Sequence, residues 1–140
     1  MGCVSLLLDE SLPPQLADCL QGVGLESESV LGIDRRSQSD EELIQYCKDH
    51  EKVFITRDKR IYGNKHQRQV LIESGISTVF LLEAQDEPAR ILRTVTTHYE
   101  CLREALSTPG QQIYFMRRGS CRTRQEEERR KQRKRRKKGK

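Results

Sequence analysis

Val53-Phe54-Ile55-Thr56-Arg57-Asp58-Lys59-Arg60 carries two signals at once. Three apolar residues, two of them β-branched, followed by Thr56 predict a short buried strand. The run then stops on one carboxylate set among three cations. In an open α/β sheet, ligands gather just beyond the carboxyl ends of the parallel strands, so an Asp delivered there is a candidate site residue. What matters next is which other groups the chain brings to that edge.

Upstream, Val4-Ser5-Leu6-Leu7-Leu8 is a continuous apolar run of strand length that ends in Asp9-Glu10-Ser11. A strand apolar on both faces implies a parallel sheet covered on both sides. Pro13 and Pro14 suit the first turn of a helix with Leu12, Leu16, Cys19, Leu20 and Val23 at helical spacing, stopped by Gly22 and Gly24. A weak second strand is predicted over 26–31, then a polar loop over 32–38. Ser39-Asp40-Glu41-Glu42 matches the capping box and opens a helix to about Asp49, with Leu43, Ile44 and Cys47 inward.

Downstream, a polar helix is expected over 65–74 with Gly75 as terminator, then a strand over 77–82. Pro88 opens one long helix through Ile91, Leu92, Val95, Tyr99, Leu102 and Leu106. After the Pro109-Gly110 turn, Ile113-Tyr114-Phe115-Met116 makes a last strand. Strands separated by helices give βαβ units, hence a mostly parallel sheet of four to five strands with right-handed crossovers. Strands one and three then run the same way, which places Asp9 and Asp58 on one edge. The helix beginning at Asp40 feeds strand three by its far end, so its N-terminus lies over that edge too.

Charge divides the chain. Residues 119–140 hold 12 Lys/Arg against 3 Glu, whereas residues 1–118 hold 14 basic and 18 acidic residues. A mildly acidic domain over 1–118 therefore carries a basic tail over 119–140, and a polycation of this kind points to a polyanionic partner, most often nucleic acid. With almost no apolar content the tail cannot pack a core and is expected to be disordered alone. Arg129, Arg130, Lys131, Arg133, Lys134, Arg135 and Arg136 are its candidate RNA contacts; a merely solubilising tail is the blander alternative. Cys3, Cys19, Cys47, Cys101 and Cys121 fit no zinc spacing and are expected to be reduced, mostly buried thiols. No apolar run approaches the ~20 residues of a membrane span, and the start lacks a signal peptide's pattern. The expectation is an intracellular, cytoplasmic protein, or a nuclear or nucleolar one in a eukaryote, with no membrane partner.

Three converging carboxylates repel one another unless a cation neutralises them. Mg²⁺ and Mn²⁺ prefer such oxygen ligands, and Arg57, Lys59 and Arg60 flank the site as candidate phosphate contacts. Metal-dependent phosphodiester hydrolysis is the chemistry these parts describe. Each part also has a local explanation. Asp9 can start a turn, Asp40 and Glu42 can serve only the helix N-terminus, and Asp58 can pair with Arg57 or Lys59. Ser11 and Thr56 can orient ligands or simply bond nearby backbone. His50, His66 and His98 are isolated. No P-loop, nucleotide-binding glycine motif, nucleophile elbow or HExxH is present.

Residues 6–14, then 39–44, then 53–61 resemble, in order, the PIN-like proteins, in a shortened branch near the VapC-type toxin ribonucleases; the likeness runs over residues 4–118. The resemblance implies a three-layer α/β/α fold, Mg²⁺- or Mn²⁺-dependent ribonuclease activity, and metal-ligand roles for Asp9, Asp40 and Asp58. Classical PIN domains add an acid from an intervening helix; this chain offers Asp18 there, with Asp34 and Glu41 as substitutes. A toxin role implies an antitoxin-like partner, and a second copy of the chain is another candidate. The alternative function is an inactive PIN-like module that binds nucleic acid or protein, its basic tail holding RNA.

Overall fold

A computed structural model describes residues 5–30, 39–82 and 87–138. Its six-stranded sheet has the order β2-β1-β3-β4-β5-β6, one strand more than the sequence predicts. The elements are β1 (Ser5–Leu8), α1 (Gln15–Gly22), β2 (Ser27–Ser29), α2 (Asp40–Asp49), β3 (Lys52–Thr56), α3 (Arg60–Gly63), α4 (Lys65–Ser74), β4 (Thr78–Leu81), α5 (Pro88–Thr97), α6 (Tyr99–Ser107), β5 (Ile113–Arg117), β6 (Ser120–Thr123) and α7 (Arg124–Lys138). All neighbouring strands are parallel except β5 and β6.

Strand side chains alternate between two cores, as the period of two requires. Leu6, Leu8, Val53, Ile55, Val79, Leu81, Tyr114 and Met116 face α1, α5 and α6. Leu7, Phe54, Phe80, Ile113 and Phe115 face α2, α3 and α4. The strands read as continuous apolar runs because both faces are covered, which gives the α/β/α layering expected from sequence. The register Leu8↔Ile55 sets Asp9 beside Thr56 at the carboxyl edge.

Four features depart from the sequence reading. The long helix expected from Pro88 breaks at His98 into α5 and α6. A β-branched run, Thr94-Val95-Thr96-Thr97, precedes the break, and the Thr96 and Thr97 hydroxyls bond back to the carbonyls of Leu92 and Arg93, competing with the helix ladder. The short α3, not expected from sequence, begins two residues after Asp58, with Lys59 at its N-cap. Cys101 and Cys121 form a disulfide between α6 and β6 rather than two free thiols; Cys47 is buried and reduced, and Cys19 is exposed.

The fourth departure is the tail. Ser120–Thr123 pairs antiparallel with β5 through the two-residue turn Arg118-Gly119, and α7 packs on the sheet. The β5 ladder and the Cys101–Cys121 disulfide hold β6, whereas α7 is seated by polar contacts around its one buried residue, Glu127. Glu127 is 1% exposed, and both its oxygens accept from Arg117 at 2.7 and 2.6 Å, with Arg130 at 3.4 Å. The Tyr62 hydroxyl donates to Glu128 at 3.2 Å. Tyr62 itself packs edge-on to Phe80 and Phe115, with ring centroids 5.7 and 5.1 Å away. Thr123 caps α7, its hydroxyl accepting from the Glu126 N–H.

Candidate metal and phosphate site

Asp9 leaves β1 still tied to the sheet, its N–H donating to the Ile55 carbonyl at 3.1 Å. Its carboxylate is buried and fully engaged. Oδ1 accepts from the Ser11 N–H at 3.0 Å and from the Ser11 hydroxyl, while Oδ2 accepts from the Thr56 hydroxyl. The same two hydroxyls bind the end of β3: Ser11 Oγ accepts from the Arg57 N–H at 3.2 Å, and Thr56 Oγ1 from the Asp58 N–H at 3.0 Å. Ser11 and Thr56 are thus the struts that join the Asp9 turn to the Asp58 turn. Burial pushes the Asp9 carboxyl above its ordinary pKa, against these hydrogen bonds, and the Asp40 charge adds to the rise.

Asp40 stands in the first turn of α2, which is set by the capping box: Ser39 Oγ accepts from the Glu42 N–H at 3.2 Å, and Glu42 reaches back to the Ser39 N–H. Burial, then the charges of Asp58 and Glu10, raise the Asp40 pKa, while Arg60 opposes them. Asp58 has the contrary environment. Arg60 grips it twice, Nε to Oδ1 at 2.9 Å and Nη2 to Oδ2 at 3.0 Å, and the Arg60 N–H adds a third bond. That grip holds the Asp58 carboxyl below the usual range.

Asp9, Glu10, Ser11, Asp40, Leu43, Arg57, Asp58 and Arg60 line one cleft of about 420 Å³ at the carboxyl edge. The topology therefore brings together the three aspartates and two of the three flanking cations. Lys59 is exposed in the turn before α3 and does not line the cleft. Glu41 points elsewhere, pairing with His66 at 3.2 Å on the exposed side of α2. Asp18 is exposed on α1, and Asp34 lies outside the described residues. Glu10, which sequence reasoning passed over, lines the cleft and acts on Asp40; its only signal was its place directly after Asp9.

The donor set is one of hard oxygens with net negative charge, the chemistry that suits Mg²⁺ or Mn²⁺. Both Asp9 and Asp40 are raised chiefly by burial, and neighbouring carboxylates add to each rise, Asp40 at Asp9 and then Asp58 and Glu10 at Asp40. The geometry is not a finished cage: among the described residues no group of three His, Cys, Asp or Glu stands at metal-holding spacing. Arg60 occupies the place at Asp58 that a cation would take. The donor types suit such an ion, but their arrangement as it stands does not hold one.

Away from this cleft, β6 and α7 present a ridge of Arg122, Arg129, Arg130, Arg133, Lys134 and Lys137 around a groove of about 350 Å³. Lys131 lies over the Tyr62 ring at 6.0 Å, and Arg135 and Arg136 are exposed. The described residues contain no helix long and apolar enough to cross a membrane.

A protein-family model described as a PIN like domain matches residues 5–83, the segment that holds β1 through β4 and all three aspartates. No curated protein and no solved structure matches the chain.

Proposed function

The chain belongs to the PIN-like domain family, and from that premise we propose that it is an endoribonuclease dependent on Mg²⁺ or Mn²⁺. The observation that carries the proposal is the convergence of Asp9, Asp40 and Asp58 on one cleft beside Arg57 and Arg60. Asp9, Asp40 and Asp58 would hold the ion, with Glu10 as the nearby fourth acid. The ion supplies Lewis acidity at the phosphoryl group and activation of water. Arg57 and Arg60 offer donors to the phosphodiester, Arg60 after exchanging its carboxylate partner for phosphate. Thr56 and Ser11 fix the Asp9 carboxylate so that it does not rotate when the ion enters. The α7 ridge contributes sequence-independent affinity that falls with salt.

The test is cleavage of single-stranded and hairpin RNA with Mn²⁺, beside an Asp58→Asn variant of the full chain. Turnover that needs the metal and drops at least a hundredfold in the variant supports the proposal; metal-independent cutting, or a variant as active as its parent, refutes it. A toxin role, the finer form of the same reading, requires an antitoxin-like protein whose binding stops cleavage.

The Arg60 grip on Asp58 favours a second reading, an inactive PIN-like module that binds RNA through its basic helix. It expects RNA binding that Asp9→Asn leaves unchanged, with no turnover under any metal.

A further inference from the structure

The carboxyl edge holds a second charged cleft that the proposed metal site does not use. Arg90, Arg93, Thr94 and Arg118 line a pocket of about 120 Å³. Pro88 at the start of α5 sets the helix direction, and positions 90, 93 and 94 share one helical face. Arg118 arrives from the turn between β5 and β6. That turn is held against α5 by the His98 ring, whose Nε2 lies 2.7 Å from the Arg117 carbonyl. Three guanidiniums from two elements therefore meet within a body that is otherwise mildly acidic, with 14 basic and 18 acidic residues over 1–118. Among the described residues Glu87 meets this cluster, accepting from Arg90 Nε at 3.1 Å.

The volume is far below the roughly 300–1,000 Å³ of pockets that enclose organic ligands, so it suits a small oxyanion and not a base. Planar guanidinium forks match the geometry of phosphate oxygens. Position supplies the rest. Asp9 follows β1 and Asp58 follows β3, whereas Arg118 follows β5, two or three strands along the same edge. At about 4.8 Å per strand, the two clefts are offset by roughly 10–15 Å along the edge, and because α5 and α2 cover opposite faces of the sheet the full separation is larger. A stacked strand rises about 3.4 Å per nucleotide, so the two clefts are at least about three to four nucleotides apart.

We propose that Arg90, Arg93 and Arg118 form a phosphate-binding subsite that holds a polynucleotide phosphate at least three to four nucleotides from the carboxylate cleft. The inference rests on the ribonuclease reading for what the carboxylate cleft does, but the binding of phosphate does not. The subsite sets the register of the strand and makes the chain discriminate against oligomers too short to reach both clefts.

The experiment uses the full chain in metal-free buffer, so that nothing is cut. An eight-nucleotide RNA is titrated into the parent, an Arg93→Gln/Arg118→Gln variant and an Asp58→Asn variant at several salt concentrations. The expected result is about tenfold weaker binding for the arginine variant. Its slope of log K against log salt should fall by about 0.7 for each phosphate that is no longer neutralised. Asp58→Asn releases Arg60 and so shifts the total affinity, yet it should keep the dependence on one phosphate position. Replacing single phosphates by neutral methylphosphonate should reproduce the loss at one position in the parent and add nothing in the arginine variant. If removing a 5′-terminal phosphate reproduces it, the subsite takes a chain end; if an internal replacement does, it takes a backbone diester. Competition by inorganic phosphate that the arginine variant abolishes also supports the site. An arginine variant that binds like its parent, or loses affinity without any dependence on a particular phosphate, overturns the proposal. RNA that binds as described but is never cut under Mn²⁺ sinks the ribonuclease reading and leaves the subsite standing.

Discussion

Asp9→Asn should make the metal-free protein more stable, not less. Asp9 is 5% exposed, and its burial outweighs the three hydrogen bonds that favour its charge. Asn keeps an oxygen to accept from the Ser11 N–H and hydroxyl. Its amide then faces Thr56 Oγ1, which must accept where it formerly donated while still accepting from the Asp58 N–H. One misoriented hydroxyl costs about 1 kcal/mol. Against this, the variant sheds the desolvation of a buried charge and its repulsion with Asp40, which at the effective dielectric of a surface cleft is on the order of 1–2 kcal/mol. We expect a gain of about 1 kcal/mol, or roughly 3–5 °C in Tm for a chain of this length. Because the folded pKa of this acid is raised, the parent loses stability as pH rises from the unfolded value near 3.8 through the folded value. The gap between variant and parent therefore opens with rising pH. Urea titrations in EDTA measure it. Repeating them with Mn²⁺ at a hundred times its dissociation constant should stabilise the parent by about 2.7 kcal/mol and the variant by far less. A variant less stable than its parent in EDTA, or equal Mn²⁺ shifts in both, would show that no counter-ion is missing from the cleft.

Two further outcomes concern the C-terminal elements. Glu127→Gln should cost about 2 kcal/mol at neutral pH, below the 3–5 kcal/mol of a deeply buried broken pair because Arg117 and Arg130 reach solvent. The Arg117 guanidinium holds the Glu127 carboxyl below its ordinary value, so its contribution is complete above about 4.5 and is lost as pH falls through the folded value. Paired denaturation curves at pH 7 and at pH 3 should show the difference between variant and parent shrinking at the lower pH. Reducing the Cys101–Cys121 disulfide, which spans 20 residues of chain, should cost up to about 3 kcal/mol; an unchanged urea midpoint with and without reductant would contradict that linkage.

The central fold was legible because its signals are local. Leu6-Leu7-Leu8 and Val53-Phe54-Ile55 announce strands covered on both faces, and Ser39 with Glu42 announces a helix start; all three depend on neighbours a few residues away. The placement of the aspartates followed from topology once the strands were parallel. What stayed hidden depends on pairings across distance or between like-looking polar residues. Glu127 differs in sequence from Glu126 and Glu128 in nothing, yet it alone meets Arg117, so periodicity could not separate a docked helix from a solvated tail. The Thr123-to-Glu126 spacing was the one local hint of α7. Arg60 folding back on Asp58 is a two-residue contact that composition cannot distinguish from an open phosphate contact. Cysteine pairing across 20 residues leaves no pattern at all.

The antiparallel hairpin at the end of the sheet has a consequence for solubility. The two outermost strands are short and polar, Ser27-Glu28-Ser29 on one side and Ser120-Cys121-Arg122-Thr123 on the other, the usual means of discouraging sheets from joining edge to edge. Next to the second lies Ile113-Tyr114-Phe115-Met116, buried throughout. A truncation that removes the basic region from residue 119 onward would strip that strand of its cover and expose an apolar ladder with free N–H and C=O groups. Such a protein would be prone to aggregate, and its failure to bind RNA would say nothing about the arginines. Ending the chain after Lys131 keeps β6, Glu127 and Glu128 in place and removes charge alone.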